Sequence, residues 1–235
     1  MRHVALLSNR RQLARLLAAR GLTGTGVEIG VQRGLYSERI LSESRLSKLI
    51  LVDPWRELGD GYRDIANVAQ REHDRALAEA KRRLAPFGER AEFWRTTSLQ
   101  AATMTSDASM DFIYLDARHD YEAVMDDLRA WYPKLRPGGV FAGHDYVDGD
   151  LPEGVFGVRS AVDDFYGGHN DVVVYATFAE RWPTWIAAPP SRYPRGIAAT
   201  QYALSRPISA VRRGVWLARQ LRRKALHVRR THRWR

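Results

Sequence analysis

An α/β fold is what this 235-residue sequence predicts: a doubly wound sheet of seven strands, all but one parallel, with helices on both faces. Three observations carry that expectation. Strand-like and helix-like segments alternate along the chain, which argues for a mainly parallel sheet. The run Lys48 to Val52 (KLILV) is apolar throughout, as a strand covered on both faces must be. The last two strand-like segments follow one another without an intervening helix, so they pair as antiparallel neighbours.

Each element has its own warrant. Leu13, Leu16 and Leu17 share one face of a helix over 8–20, which Gly21 stops. Val27 to Val31 is a short apolar strand, and beyond Gly34 a helix runs to about Leu41. After the KLILV strand, the polar, Ala-rich stretch 62–85 reads as a helix ending before Pro86. Ala91 to Arg95 is the third strand, Ser98 to Thr103 a short helix, and Met110 to Leu115 (MDFIYL) the fourth strand. Val124, Leu128 and Trp131 mark the apolar face of a helix over 121–131. Pro137-Gly138-Gly139 turns the chain into the fifth strand, Val140 to Ala142. A Gly-rich loop then leads to a helix over Val158 to Phe165, and the strands Val172 to Tyr175 and Thr184 to Ala187 complete a Rossmann-like sheet. The predicted organisation is an N-terminal helix (1–21), a main domain (22–190), and a linker with a basic amphipathic tail (191–235).

Composition narrows the function. With 45% hydrophobic and 27% charged residues the chain sits in the globular range, and it has no apolar run of membrane-spanning length. Arg10, Arg11 and Arg15 interrupt the only apolar stretch near the start, so no secretory signal is expected and a cytoplasmic protein is. Cysteine is absent, which excludes disulfides, thiolate metal sites and cysteine nucleophiles. The net charge of +10 belongs to the tail: eleven Lys and Arg fall in 206–235 with no acid, leaving 26 basic against 27 acidic residues in 1–205.

In a sheet of this kind ligands bind at the carboxyl ends of the strands, at the switch point. After the first strand stands Glu28-Ile29-Gly30-Val31-Gln32-Arg33-Gly34, whose glycines let the backbone approach a ligand. Its spacing departs from the G-x-G-x-x-G dinucleotide pattern. An acid inside a strand needs a partner, and a cationic or amino-bearing ligand would supply one. Asp53 ends the second strand, where nucleoside-binding folds hold ribose hydroxyls. The fourth and fifth strands deliver Asp116 and His119, and His144 and Asp145, to one rim: material for a general base and for a metal site.

These stretches, V-E-I-G-V-Q-R-G, L-V-D-P-W, D-F-I-Y-L-D-A-R-H-D-Y and L-R-P-G-G-V-F-A-G-H-D-Y, resemble the class I S-adenosylmethionine-dependent methyltransferases. Within them the sequence is most similar to the small-molecule O-methyltransferase branch that includes macrolide-sugar and cephalosporin-pathway enzymes. The resemblance covers roughly 22–190. It implies that Glu28, Gly30 and Gly34 line the methionine end of the cofactor, that Asp53 takes the ribose hydroxyls, and that Ser98 lies near the adenine. Asp116 would stand between cofactor and acceptor, and His119 matches the base of the sugar-methylating members, with an intrinsic pKa near 6.5 that leaves a neutral fraction at pH 7. In metal-dependent relatives an acid after the fourth strand and two after the fifth hold a divalent ion. Here the set is Asp116, His144 and Asp145, and the imidazole suits a transition metal better than magnesium. Whether a metal is bound stays open. Trp55, Tyr62, Tyr121 and Tyr146 fall in or beside these loops as candidate walls of an acceptor pocket.

The expected activity is therefore S-adenosylmethionine-dependent methyl transfer to a hydroxyl of a small molecule or sugar, with His119 as general base. Two alternatives accompany it: an RNA methyltransferase using the tail as an electrostatic arm, and a non-catalytic binding protein on the same fold. The amphipathic 206–235 segment suits an anionic membrane surface at the inner face, a partner or second subunit, nucleic-acid phosphates, or no partner as a solvated extension; Trp216, Leu217 and Trp234 beside its arginines favour the membrane among the functional uses. Nucleic acid is the lesser partner, and a homo-oligomer is compatible with the sequence.

Overall fold

The computed structural model describes residues 7–59, 62–169 and 172–188. The chain divides into two units, 1–191 and 192–235, and the described residues all belong to the first; the basic tail lies outside them. The strands of the main sheet are β1 (Thr25–Ile29), β2 (Lys48–Val52), β3 (Ala91–Trp94), β4 (Met110–Leu115), β5 (Leu135–Gly143), β8 (Val173–Ala176) and β9 (Trp185–Ala188). Their order across the sheet is β3-β2-β1-β4-β5-β9-β8. β9 runs antiparallel to both its neighbours and all other pairings are parallel. Two further strands, β6 (Asp148–Leu151) and β7 (Gly154–Gly157), form a separate hairpin. The helices are α1 (Leu13–Ala19), α2 (Leu35–Glu43), α3 (Gln70–Leu84), α4 (Ser98–Thr103), α5 (Tyr121–Trp131) and α6 (Val158–Tyr166).

The burial pattern follows from the two-period of a strand in a sheet covered on both sides. All six residues of β4 are buried. Ile113 and Leu115 join Val27, Ile50, Phe141 and the tryptophans Trp131 and Trp185 in one core. Residues of opposite parity, Phe112, Tyr114, Leu49 and Leu51, are buried on the other face, where Leu13, Leu17 and Leu41 of the helices are also enclosed. From β1 the chain winds outward through β2 to β3, then returns beyond β1 to β4 and β5. The switch point thus lies between β1 and β4, and a crevice opens at their carboxyl ends.

The structure departs from the sequence expectation in three places. α3 begins at Gln70, not at 62, because the Asp64 and Asn67 side chains bond to nearby backbone and hold 62–69 as a loop. β5 starts at Leu135 and carries the predicted Pro137-Gly138-Gly139 turn inside it, with a register shift opposite Met110 and Phe112. The Gly-rich loop after β5 contains the β6–β7 hairpin.

β1 ends at Ile29 because Gly30 takes φ +89°, and a Cβ there would lie 1.8 Å from the Asp116 carbonyl oxygen. Gly138 also has a left-handed φ, +82°, but open space around its α-carbon. Gly138→Ala should therefore cost about 1–2 kcal/mol, the penalty of an L-residue in that region. Gly30→Ala adds a clash with backbone and should cost well beyond that or prevent folding. Denaturant unfolding of the two variants checks the contrast; equal costs would show that β1 and β4 can separate at little expense.

Candidate active site

A cavity of about 300 Å³ opens over the carboxyl ends of β1, β2 and β4. Glu28, Gly30, Asp53, Ser98, Asp116 and His119 all line it, so the structure brings together most of the residues singled out by sequence. Gly34 stands apart. It sits at the N-terminus of α2 with φ +70°, and its α-carbon faces Leu84 and Ala80 of α3, where a Cβ would come within 3.2 and 3.3 Å.

Asp53 organises the loop that follows β1. Its Oδ2 accepts from the backbone N–H groups of Val31 and Gln32, both at 2.9 Å, and its Oδ1 from that of Trp55 at 2.7 Å. A carboxylate offers about four acceptor sites, so three backbone bonds leave one for a ligand. Ser98 accepts from the indole N–H of Trp131 at 2.9 Å.

Glu28 is 2% exposed, and its Oε2 has no hydrogen-bond partner. Burial pushes its carboxyl up to about 8, while Ser37 beside it works the other way. A buried acid with an unused oxygen facing a cavity fits a ligand that brings a positive, hydrogen-bonding group.

His119 lies in a nest of carboxylates. Its Nδ1 is 2.7 Å from Asp64 Oδ2, and its Nε2 lies 3.0 Å from Asp145 Oδ2 and 3.8 Å from Asp116 Oδ1. The ring stacks on Phe156 of the hairpin at 4.8 Å, and the His119 carbonyl accepts from Gly157 N–H at 2.8 Å. Burial alone would lower its pKa, but the carboxylates of Asp116, Asp145 and Asp64 hold it well above the ordinary value. The three carboxylates therefore favour the imidazolium over the neutral ring that the intrinsic pKa would leave at pH 7. Asp145 is shifted the opposite way: burial opposes its charge, and the two imidazoles of His119 and His144 outweigh it.

Asp116, His144 and Asp145 each present one donor atom, all within 4.8 Å of one another. His144 Nδ1 is 2.8 Å from Asp145 Oδ1 and 3.8 Å from Asp116 Oδ2. Asp145 holds a left-handed φ of +52°, a conformation uncommon for a residue with a side chain. The mixed imidazole and carboxylate set fits a divalent transition metal.

Two residues of the site carried no sequence signal. Asp64, with a side chain 3% exposed, comes from the loop after β2 and also accepts from Tyr62 OH at 3.2 Å and Ala66 N–H at 2.7 Å. Arg10 arrives from ahead of α1, lines the cavity and places Nη1 3.3 Å from Asp116 Oδ2. Of the four aromatics considered as acceptor walls, Tyr62 lines the cavity, beneath the Arg118 guanidinium at 4.8 Å. Trp55 is fully buried and donates to the Gln32 carbonyl, while Tyr121 and Tyr146 bond to Asp164 and Asp163 of α6.

Comparison with known proteins matches residues 27–146 to the family described as a methyltransferase domain. A Sinorhizobium fredii protein called uncharacterized protein y4gI is 25% identical over 133 residues, which are 57% of this chain; the chain spans 14% of that relative's length. The fold is similar to that of the O-methyltransferase TomG from Streptomyces achromogenes, involved in tomaymycin synthesis and solved in complex with SAM. The TM-score is 0.54 at 18% identity, covering 77% of this chain and 80% of TomG. It is also similar to an rRNA methylase from Streptococcus thermophilus, with a TM-score of 0.52 at 12% identity over 77% of this chain and 94% of that one. At these identities the likeness to both structures is one of fold.

The Glu28 carboxyl gives a pH dependence with a definite sign. Between its ordinary value of 4.5 and about 8, the folded chain keeps a proton that the unfolded chain has lost. Stability should therefore fall as pH rises through that window. Glu28→Gln, which imitates the protonated form, should lose less stability between about pH 6 and about pH 9 than the unmodified chain in denaturant unfolding. Equal losses would assign the dependence to another group.

Proposed function

The chain belongs to the methyltransferase-domain family, and from that premise we propose that it transfers a methyl group from S-adenosylmethionine to a hydroxyl of a small molecule or sugar. The observation that carries this reading is the single cavity at the switch point. It gathers a buried acid with an unpartnered oxygen, an acid at the end of β2, and the Asp116–His119 pair at the end of β4. The donor supplies a methyl group already activated on a sulfonium, so the protein's task is to bind, align and remove a proton.

Glu28 takes the donor's ammonium, and Asp53, with one acceptor site remaining, takes a ribose hydroxyl. His119 receives the acceptor's proton in this reading. Asp64 fixes its Nδ1, so Nε2 is the atom that exchanges a proton at the cavity. Asp116, once it neutralises a neighbouring positive charge, no longer holds the proton on His119 as firmly. Asp116, His144 and Asp145 are the residues that would hold a divalent cation, whose contribution there would be to polarise the acceptor oxygen. A small acceptor suits the site because two excursions from the sheet, the 62–69 loop and the β6–β7 hairpin, meet beside His119. Asp64 bridges to Gly154, and Ile65 N–H donates to the Glu153 carbonyl at 2.9 Å.

The basic 206–235 segment favours a second reading, an RNA acceptor, because eleven cationic side chains without an acid are suited to phosphates. The same segment could instead seat the enzyme on an anionic membrane; among the described residues no helix is long and apolar enough to cross one. Salt-sensitive RNA affinity that disappears on removing 206–235 would favour RNA over the small acceptor.

Titration calorimetry of the full chain with S-adenosylmethionine should show saturable one-site binding, weakened in Asp53→Ala; no binding would overturn the proposal. His119→Ala should lower kcat by about 100-fold or more, the scale of general-base catalysis, with donor affinity unchanged. If donor binding collapses instead, His119 belongs to the donor site. Asp64→Asn should lower kcat by a smaller factor while leaving KM for the acceptor alone, as a positioning residue does. An unchanged kcat would remove Asp64 from that role.

A further inference from the structure

Arg10 precedes the matched stretch 27–146, yet its side chain is part of the cavity wall. Its backbone is pinned on both sides. The Arg10 N–H donates to Glu180 Oε1 at 3.1 Å, and the Arg10 carbonyl accepts from Tyr36 OH at 3.0 Å. The guanidinium then runs over the Tyr36 ring, 5.0 Å from its centroid, and reaches Asp116 through one nitrogen at 3.3 Å. This is a held position, and it points a cation into the cavity.

Glu28 faces the same end. Arg10 and Asp116 both act on the charge of Glu28, and Tyr36 lies in the field of all three. Yet the ion pair of Arg10 among the described residues is with Asp116, and Glu28 Oε2 remains without a partner. One end of the cavity therefore offers an acid and a guanidinium that are close enough to interact and are not paired with each other. A ligand with an ammonium and a carboxylate on one carbon would meet both: its carboxylate the guanidinium, and its ammonium Glu28, whose ionised form a nearby positive charge favours.

We propose that Arg10 binds the α-carboxylate at the amino-acid end of the methyl donor, opposite Glu28 on the ammonium. The inference rests on the S-adenosylmethionine reading above and adds a residue that the matched stretch does not contain. The contact with Asp116 does not compete with it. A guanidinium has five N–H donors in a fork suited to a carboxylate, and its contacts with Asp116 and the Tyr114 hydroxyl leave others for a ligand. The Arg10 side chain is 34% exposed, so a second partner has access. Arg10 would then join the donor's carboxylate to Asp116, the acid on the acceptor side.

The test compares two donors that differ in that carboxylate alone, S-adenosylmethionine and its decarboxylated form, by titration calorimetry on the full chain. The unmodified chain should prefer S-adenosylmethionine by about 10-fold or more, the scale of a hydrogen bond between charged groups. Arg10→Ala should lose affinity for S-adenosylmethionine and leave that for the decarboxylated donor alone, so the preference vanishes. Arg10→Lys should restore part of it. The ratio is taken within each variant, so a general loss of affinity cancels, and Arg10→Gln gives the same ratio if the alanine variant folds poorly. A preference that survives in Arg10→Ala, or a guanidinium that merely screens Asp116 so that both donors bind more tightly without it, would overturn the proposal. Failure of the unmodified chain to bind either donor would instead overturn the methyltransfer reading, and this inference with it.

Discussion

Asp116 donates its backbone N–H to the Ile29 carbonyl at 2.7 Å, and its own carbonyl oxygen lies where a side chain on Gly30 would stand. That contact sets how closely the ends of β1 and β4 approach, and both halves of the site hang on it. Glu28 sits one pleat below the rim, in register with Leu51 and Tyr114, while Asp116 sits on the rim itself. Any side chain at position 30 would wedge the strands apart and separate Glu28 from Asp116, the two acids that the proposed reading assigns to donor and acceptor. The glycine is needed for the approach of two backbones, which comes before any approach to a ligand.

Bringing strand ends this close concentrates acids out of water, and each must be compensated. The compensations differ, and the difference decides what is left for a ligand. Asp53 spends three acceptor sites on backbone N–H groups and so shapes the loop more than it binds. Asp64 and Asp145 share the His119 ring between them, which favours its charged form. Asp116 is met by Arg10 at 3.3 Å and by the two imidazoles at 3.8 Å, contacts too long to saturate it. Glu28 is neutralised by its own proton and keeps one oxygen unused. Capacity for a ligand is therefore greatest at Glu28 and Asp116, on either side of the Gly30 contact.

How much of this was legible in the sequence follows from where the information lies. Strands covered on both faces announce themselves by apolar runs, and topology then puts the residues just after them on one rim. Glu28, Asp53, Asp116, His119, His144 and Asp145 could be found that way. Asp64 and Arg10 could not, because their partners lie 55 and 106 positions away and neither stands directly after a strand. The 62–69 segment has the composition of a helix, and only the bonds of Asn67 to Leu58 and Tyr62 show that it is a loop. The β6–β7 hairpin is hidden by glycines that read as irregular chain, though Gly149 and Gly154 take positive φ values that a side chain would resist. The upward shift of the His119 pKa was illegible for a related reason. An intrinsic pKa belongs to the residue, but the shift belongs to three carboxylates from three different segments.

In the proposed reading, donor and acceptor sides are built by different means. The donor side is made of strand ends, and altering it disturbs the sheet. The acceptor side would be made of the 62–69 loop and the 148–157 hairpin, which hold one another through the Asp64–Gly154 bridge and the Arg63–Asp150 ion pair. Phe156 extends that contact into an aromatic stack, with His119 at 4.8 Å on one side and Trp182 at 5.2 Å on the other. Replacing side chains along the outer edges of this pair would reshape the acceptor pocket while Glu28, Asp53 and the Gly30 contact stayed in place. The constraint on such changes is His119, because its ring is positioned by Asp64 from the loop and by Phe156 from the hairpin together. Acceptor choice can therefore vary only in combinations that keep the two excursions in register with each other.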